Sequence, residues 1–284
     1  MDYKYQYITN IILGYDIKDT ETSVGASRRS IGTTKNGKSG ELNTLDVLPN
    51  YIYNKMDDIN KHLSKYEILL DKNDNTLENG GKITLVIKSN EELDVGAGIS
   101  TIALGFKNGS KVILLTFEPV KLIYNSYVKE LDQKLIATIQ TDYSLLYITM
   151  VNKLDSIKDD DLINDITEIL YMSDNLSRFK DISEALKTLI SLVRASKKIK
   201  NKEIIINSIR EIINIYIKME KDYKLIRSVR VFLDIHTGNW KIVTDEKGKK
   251  LIAIDPFVIY YGTMKIDADF LNKLGKEFIK NNRK

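Results

Sequence analysis

Asp234, Asn239 and Asp255 are the residues of this chain whose types and spacing could do chemistry together. Asp234 opens the run Asp-Ile-His-Thr-Gly-Asn, and Asp255 ends the apolar run that begins at Leu251, just before Pro256 and Phe257. One carboxylate can orient a hydroxyl and take its proton, while an amide oxygen and a second carboxylate can hold Mg²⁺. That is the set phosphoryl transfer asks of a protein, because the reaction depends on positioning and charge neutralisation more than on covalent help. Other chemistries lack their parts. The chain has no cysteine, and its two histidines, His62 and His236, are too few for a multi-histidine zinc site. A structural alternative remains open at this point: Asp-x-x-x-Gly-Asn can be an Asx-type turn and Asp-Pro a strand terminator.

The pattern Asp-Ile-His-x-x-Asn followed by an apolar strand ending in Asp resembles the catalytic loop and metal-binding aspartate of the protein-kinase-like superfamily. The form with histidine and glycine is similar to that of aminoglycoside phosphotransferases and of small bacteriophage serine/threonine protein kinases. The ending Ile-Asp-Pro, where eukaryotic kinases carry Asp-Phe-Gly, resembles the phage group most. The resemblance implies that Asp234 is the catalytic carboxylate, that Asn239 and Asp255 bind Mg²⁺, and that His236 takes the place of a lysine that contacts the γ-phosphate. Phe232 and Leu233 stand where the family has His-Arg or His-Gly, so control through a phosphorylated activation loop is not expected.

A nucleotide-covering loop is the next part that the resemblance implies. Leu93 to Ala103 carries Gly96 and Gly98, whose missing side chains let a backbone approach phosphate oxygens, but Thr101 holds the place of the third glycine. The strand that should bear a phosphate-pairing lysine reads Lys111-Val-Ile-Leu-Leu-Thr-Phe-Glu118, with no lysine at its centre. Lys111 or Lys121 could supply the charge instead, with Glu118 or Glu130 as acidic partner. A literal P-loop pattern, Gly32 to Ser39 with Lys38, also occurs. A P-loop joins a buried strand to a helix. Ala26-Ser-Arg-Arg-Ser before it cannot be that strand, so the segment reads as a solvated basic loop.

These residues need a scaffold, and the patterning supplies one. Residues 20–46 are rich in Gly, Ser, Thr and Lys without periodicity, as in a flexible tether. Strands are expected over 5–15, 66–70, 82–87, 101–106, 112–117 and 145–151, and helices over 51–66 and 126–139. From about Asp155 the period turns helical, with helices over 160–172, 179–195, 203–219 and 268–279. The Ile-rich 203–219 segment should be buried on most of its circumference. Asp234 and Asp255 then fall on a hairpin-like pair of short strands. The expected fold class is α+β, a bilobal protein-kinase-like fold. It would comprise an extension over 1–90, a β-rich N-lobe over 91–152 and a short helical C-lobe over 153–284.

At 284 residues the chain is long enough for two lobes, and a net charge of +4 gives no field that calls for nucleic acid. The basic cluster 194–202 lacks interleaved aromatics and reads as a solvated connection. With no long apolar run and no basic leader, a cytoplasmic protein away from membranes is expected, in the host cytoplasm if a phage encodes it. The implied cofactors are ATP and Mg²⁺, and the implied partners are protein substrates, host proteins among them. Two further readings stay open: a catalytically impaired pseudokinase that binds a host protein, motivated by the missing strand lysine, and a small-molecule kinase.

Overall fold

The computed structural model describes residues 4–9, 52–72, 84–97, 101–142, 144–174, 176, 181–228, 231–246, 248–259 and 264–282. The chain divides into two compact units, one formed by Met1–Glu118 with Lys134–Val151 and the other by Pro119–Gln133 with Asn152–Lys284. The first is β-rich and the second mainly helical, an α+β chain as its patterning predicts.

In the first unit β1 (Lys4–Thr9), β2 (Ile68–Lys72) and β3 (Thr84–Ser89) form a sheet in the order β1-β3-β2. The strands β4 (Leu93–Ala97), β5 (Thr101–Phe106), β6 (Lys111–Thr116), β7 (Lys134–Gln140) and β8 (Leu145–Asn152) form a second sheet, in the order β4-β5-β6-β8-β7. Helix α1 (Met56–Leu63) carries its apolar residues at three- and four-residue spacing, so Met56, Ile59 and Leu63 share one buried face. They join Leu70, Ile87, Leu104, Leu115 and Ile148 in one apolar core. Asn60 ties the helix to β2: its amide donates to the Leu70 carbonyl at 2.8 Å, and the Leu70 N–H donates back to its oxygen at 2.8 Å.

The helix expected over 126–139 lies elsewhere. Helix α2 runs over Pro119–Tyr127, and Lys134–Gln140 is strand β7. Proline explains the start, because at the first helical position its missing N–H costs nothing and its fixed φ suits the helix. The run Leu-Ile-Ala-Thr-Ile in β7 is β-branched enough to favour the pleated surface that it shares with β8.

In the second unit, α3 (Asp160–Asp174), α4 (Ile182–Ala195) and α5 (Lys202–Asp222) follow one another. The Asp181 side chain caps α4 by accepting from the N–H groups of Ser183 and Glu184. Helix α5 buries Ile205, Ile206, Ile209, Ile212, Ile213, Ile215, Tyr216 and Met219, so it is enclosed on most sides, as its isoleucine content predicts. The basic cluster between α4 and α5 is held by carboxylates. Lys198 pairs with Glu168 and Lys200 with Asp161, while the buried Asp165 accepts from the N–H groups of Lys200 and Asn201.

After α5 come β10 (Val231–Leu233), β11 (Trp240–Asp245), β12 (Gly248–Ala253) and β13 (Phe257–Ile259), then α6 (Met264–Asn282). The expected single hairpin is two nested antiparallel pairs. β11 and β12 form the inner hairpin, with the short β9 (Asp155–Ser156) on the edge of β11, and β10 pairs with β13 outside it. β12 pairs antiparallel with β11 at the edge of its sheet. Gly32 to Ser39 and Lys38 lie outside the described residues.

Candidate active site

The nesting places two loops side by side. One joins β10 to β11 and carries Asp234, His236 and Asn239; the other joins β12 to β13 and carries Asp255. Three hydrogen-bond sets close them on each other. The Asp234 N–H donates to the Pro256 carbonyl at 2.8 Å, and the Ile254 N–H donates to the Asn239 carbonyl at 2.9 Å. The Asn239 side-chain amide donates to the Asp234 carbonyl at 3.0 Å and to the Asp255 carbonyl at 2.6 Å. Both amide hydrogens are thereby committed, so the oxygen is the part of that side chain able to accept or to ligate. Asn239 is 8% exposed, and its neighbours Ile235 and Trp240 are buried.

The residues 237–239 form a 3₁₀ turn capped by His236, whose Nδ1 accepts from the Gly238 N–H at 3.1 Å. With Nδ1 an acceptor, the neutral ring carries its proton on Nε2. That nitrogen lies 3.9 Å from Asp234 Oδ2, beyond hydrogen-bond distance but within reach of its field. Gly238 leaves the His236 ring its place: a Cβ there would stand 2.9 Å from the ring.

Lys121 completes the cluster. It projects from α2, and its Nζ donates to Asp255 Oδ2 at 2.6 Å, with only 14% of the lysine side chain and 20% of the aspartate side chain exposed. Three residues further along the same helix, and so on the same face, Tyr124 packs edge-on against Phe257, ring centres 5.5 Å apart. Tyr216 of α5 also meets Phe257, with ring centres 5.3 Å apart. Phe257 therefore anchors the strand that begins two residues after Asp255 and fixes α2 against it. The sequence reading missed this clamp; Phe257 beside Asp255 and Tyr124 one turn beyond Lys121 are its only sequence signal.

Of the two acidic partners expected for the lysine, Glu130 is engaged elsewhere. Glu130 does not pair with Lys121; it pairs with Lys250 of β12 at 2.5 Å, and Lys250 also reaches Glu211 of α5 at 3.0 Å. Burial favours the neutral Glu130 carboxyl, but the Lys250 hydrogen bond, a backbone hydrogen bond and the Lys250 and Lys129 charges together hold the group below the usual range. Glu118 offers its N–H to Thr116 Oγ1 at 3.1 Å, in the turn that opens α2.

Burial holds the Asp234 carboxyl above its ordinary value. A charged His236 opposes that rise, the Asp255 carboxylate adds to it, and the Asn239 amide and Lys121 ammonium oppose it. The carboxylate is thus kept basic while remaining within the influence of two other charged groups. Among the described residues no cluster of three or more His, Asp or Glu side chains could hold a metal unaided. A Mg²⁺ site shared with phosphates takes one or two protein carboxylates and leaves the rest to substrate oxygens and water. The donor set of Asn239 oxygen and Asp255 carboxylate fits it, and a cation, the Lys121 ammonium, already sits on that carboxylate.

Of the residues singled out in the sequence, Asp234, His236, Asn239, Asp255 and Lys121 come together in the second unit. Gly96 lies in β4 of the first unit opposite Ala103, and Lys111 opens β6 there. Gly98 lies outside the described residues.

No protein-family model matches the chain, and no curated protein matches it. Among solved structures, a spectinomycin phosphotransferase crystallised with ADP and spectinomycin aligns with 68% of this chain and 74% of its own. The two share 13% identity, with a TM-score of 0.21. A likeness that small decides neither fold nor chemistry.

Proposed function

We propose that this chain is an ATP-dependent phosphotransferase acting on a hydroxyl, and that its acceptors are serine or threonine side chains of proteins, as in the small phage kinases that its motifs resemble. The observation that carries the reading is the closure of two loops by the Asn239 amide, which brings the Asp234 and Asp255 carboxylates to one place beside Lys121. Accidental turn residues have no reason to converge in this way.

In this reading the acceptor hydroxyl donates a hydrogen bond to the Asp234 carboxylate. As the acceptor oxygen bonds to the γ-phosphorus and the bond to the bridging oxygen of ADP breaks, Asp234 receives the proton. Its raised affinity for protons, from burial, suits that role. The Asn239 oxygen and Asp255 would hold Mg²⁺, which supplies charge neutralisation for the phosphates. His236 Nε2–H is placed to donate to a phosphate oxygen on the Asp234 side.

The absence of a lysine at the centre of β6, where Val112 to Leu115 are aliphatic, favours a second reading in which the chain binds nucleotide or a host protein without turnover. Incubation of purified protein with γ-labelled ATP, Mg²⁺ and cell lysate separates the readings. Label in lysate proteins supports the kinase with protein acceptors. Label confined to small molecules would move the assignment to a small-molecule kinase, and no Asp234-dependent label at all would leave the pseudokinase.

A further inference from the structure

Two ion pairs tie the segment around α2 to the segment that carries Asp255, and they run in opposite senses. Lys121, near the start of α2, reaches Asp255 at 2.6 Å, while Glu130, in the 3₁₀ turn Lys129–Leu131 beyond its end, reaches Lys250 of β12 at 2.5 Å. The same α2 carries Tyr124, which meets Phe257. Lys250 also holds Glu211 of α5 at 3.0 Å, and α5 supplies the second ring against Phe257, that of Tyr216. One ammonium on β12 thus joins three separate elements, five residues before Asp255. Backbone pairing with β11 fixes β12 within its hairpin, but side chains fix the strand against the helices. Ile252 and Ala253 line a small cleft there with Tyr124 and Val128. Apolar contact of that kind has no direction and tolerates sliding, whereas a charge-assisted hydrogen bond holds one geometry.

We propose that Lys250 is a positioning residue for the metal-binding carboxylate: by joining Glu130 and Glu211 it sets the register of β12 along α2 and α5, and so the place of Asp255. The inference rests on the phosphotransferase reading and adds to it a support that lies outside the motif residues. Lys250 acts through the backbone of residues 251–254 and not on the metal. Its removal does more than free a strand. The Glu130 and Glu211 side chains, 23% and 34% exposed, would face each other across the place its ammonium holds, and two carboxylates so placed repel. The turn after α2 and the middle of α5 would then move apart, and the strand between them would lose the contact that orders its approach to Asp255. Arginine is the replacement that can keep the join, since its planar fork can serve two carboxylates at once.

The test is a titration of the full chain with Mn²⁺ in the presence of ADP, followed through the free-ion electron paramagnetic resonance signal. Each variant is measured at a temperature where its own melting curve shows it folded. The wild type should bind Mn²⁺ in a way that Asp255→Asn removes. Lys250→Met should weaken that binding by about tenfold, the low end of what supports behind a metal ligand are worth, and Lys250→Arg should restore most of it. A role in stability alone would lower the melting temperature of Lys250→Met and leave the Mn²⁺ affinity of the folded protein as in the wild type; that result would overturn the proposal and spare the metal assignment. If Lys250→Met does not fold, Glu130→Gln and Glu211→Gln decide, since each loosens one arm of the join and leaves the lysine a carboxylate. Weaker Mn²⁺ binding by either supports the positioning role, and wild-type binding by both overturns it. No Asp255-dependent Mn²⁺ binding by the wild type would overturn the metal assignment and the positioning role with it.

Discussion

The loop pair of the second unit and the five-stranded sheet of the first treat polar groups in opposite ways. In the loops, polar side chains are tied to one another and to backbone that other elements hold in place: Asn239 to two carbonyls, Lys121 to Asp255, His236 to the Gly238 N–H. In the sheet, the hydroxyls of Thr101 and Thr116 meet at 2.7 Å, and Ile102, Leu104, Ile113, Leu115 and Ile148 pack into the apolar core. The difference shows where side-chain identity carries chemistry and where it carries only shape. Substitutions should therefore separate the two regions by what they damage, activity in the loops and stability in the sheet.

The largest effect is expected at Asp234. Asp234→Asn should lower phosphotransfer by about 10²- to 10⁴-fold, the usual worth of a positioned general base. It should not destabilise the fold. Because burial raises the Asp234 pKa, the folded state holds that proton more tightly than the unfolded chain does. Stability is thus lost as pH rises from the ordinary aspartate range through the raised value, and the asparagine variant escapes that loss. Thermal unfolding followed over about pH 4 to 8 should show the variant equal to or above the wild type at the upper end.

Asn239 should show both kinds of damage, since it is a structural brace and a proposed ligand. Asn239→Ala leaves the part-buried Asp234 and Asp255 carbonyls without their donor and should cost about 1 kcal/mol or more in denaturant unfolding, together with weaker Mg²⁺-nucleotide binding. Asn239→Asp keeps a ligating oxygen but turns a carboxylate toward the same carbonyls. It should be at least as destabilised, which would tell the brace from the ligand.

Gly238→Ala is a finer probe. Its Cβ meets only the end of the His236 ring, which can turn aside, so unfolding should change by less than about 1 kcal/mol. The ring would no longer face Asp234, and the catalytic rate should drop severalfold. In the first unit, a Cβ at Gly96 meets nothing nearer than the Ala103 side chain at 3.8 Å. Gly96→Ala should leave stability within about 0.5 kcal/mol. Mg²⁺-ATP titration of that folded variant tests the phosphate-approaching backbone expected at Gly96: weaker binding would support it, and unchanged binding would remove Gly96 from the nucleotide site.

The meeting of Asp234, His236, Asn239 and Asp255 was legible in the sequence because each has a chemically distinct side chain at a short, fixed spacing. Helical period likewise foretold α3, α4 and α5, whose apolar faces are long. Two things were not legible. The start of α2 at Pro119 was obscured by the apolar stretch beyond it, where Lys134–Gln140 can be read as one face of a helix but pairs as a strand. The partner of Lys121 could not be inferred either, because the two residues are 134 positions apart and meet only through the packing of Tyr124, Phe257 and Tyr216. Long-range ion pairs leave no local period to read.

The account turns on Asp255 as the metal-binding carboxylate of a nucleotide site, and calorimetric titration of ATP with and without Mg²⁺ addresses it most directly. The wild type should bind ATP more tightly with Mg²⁺, and Asp255→Asn should lose most of that gain while Lys38→Ala keeps it. An Asp255→Asn protein that folds and shows the full Mg²⁺ gain, or a gain lost only in Lys38→Ala, would contradict the account and move the nucleotide site to the segment around Gly32 and Ser39.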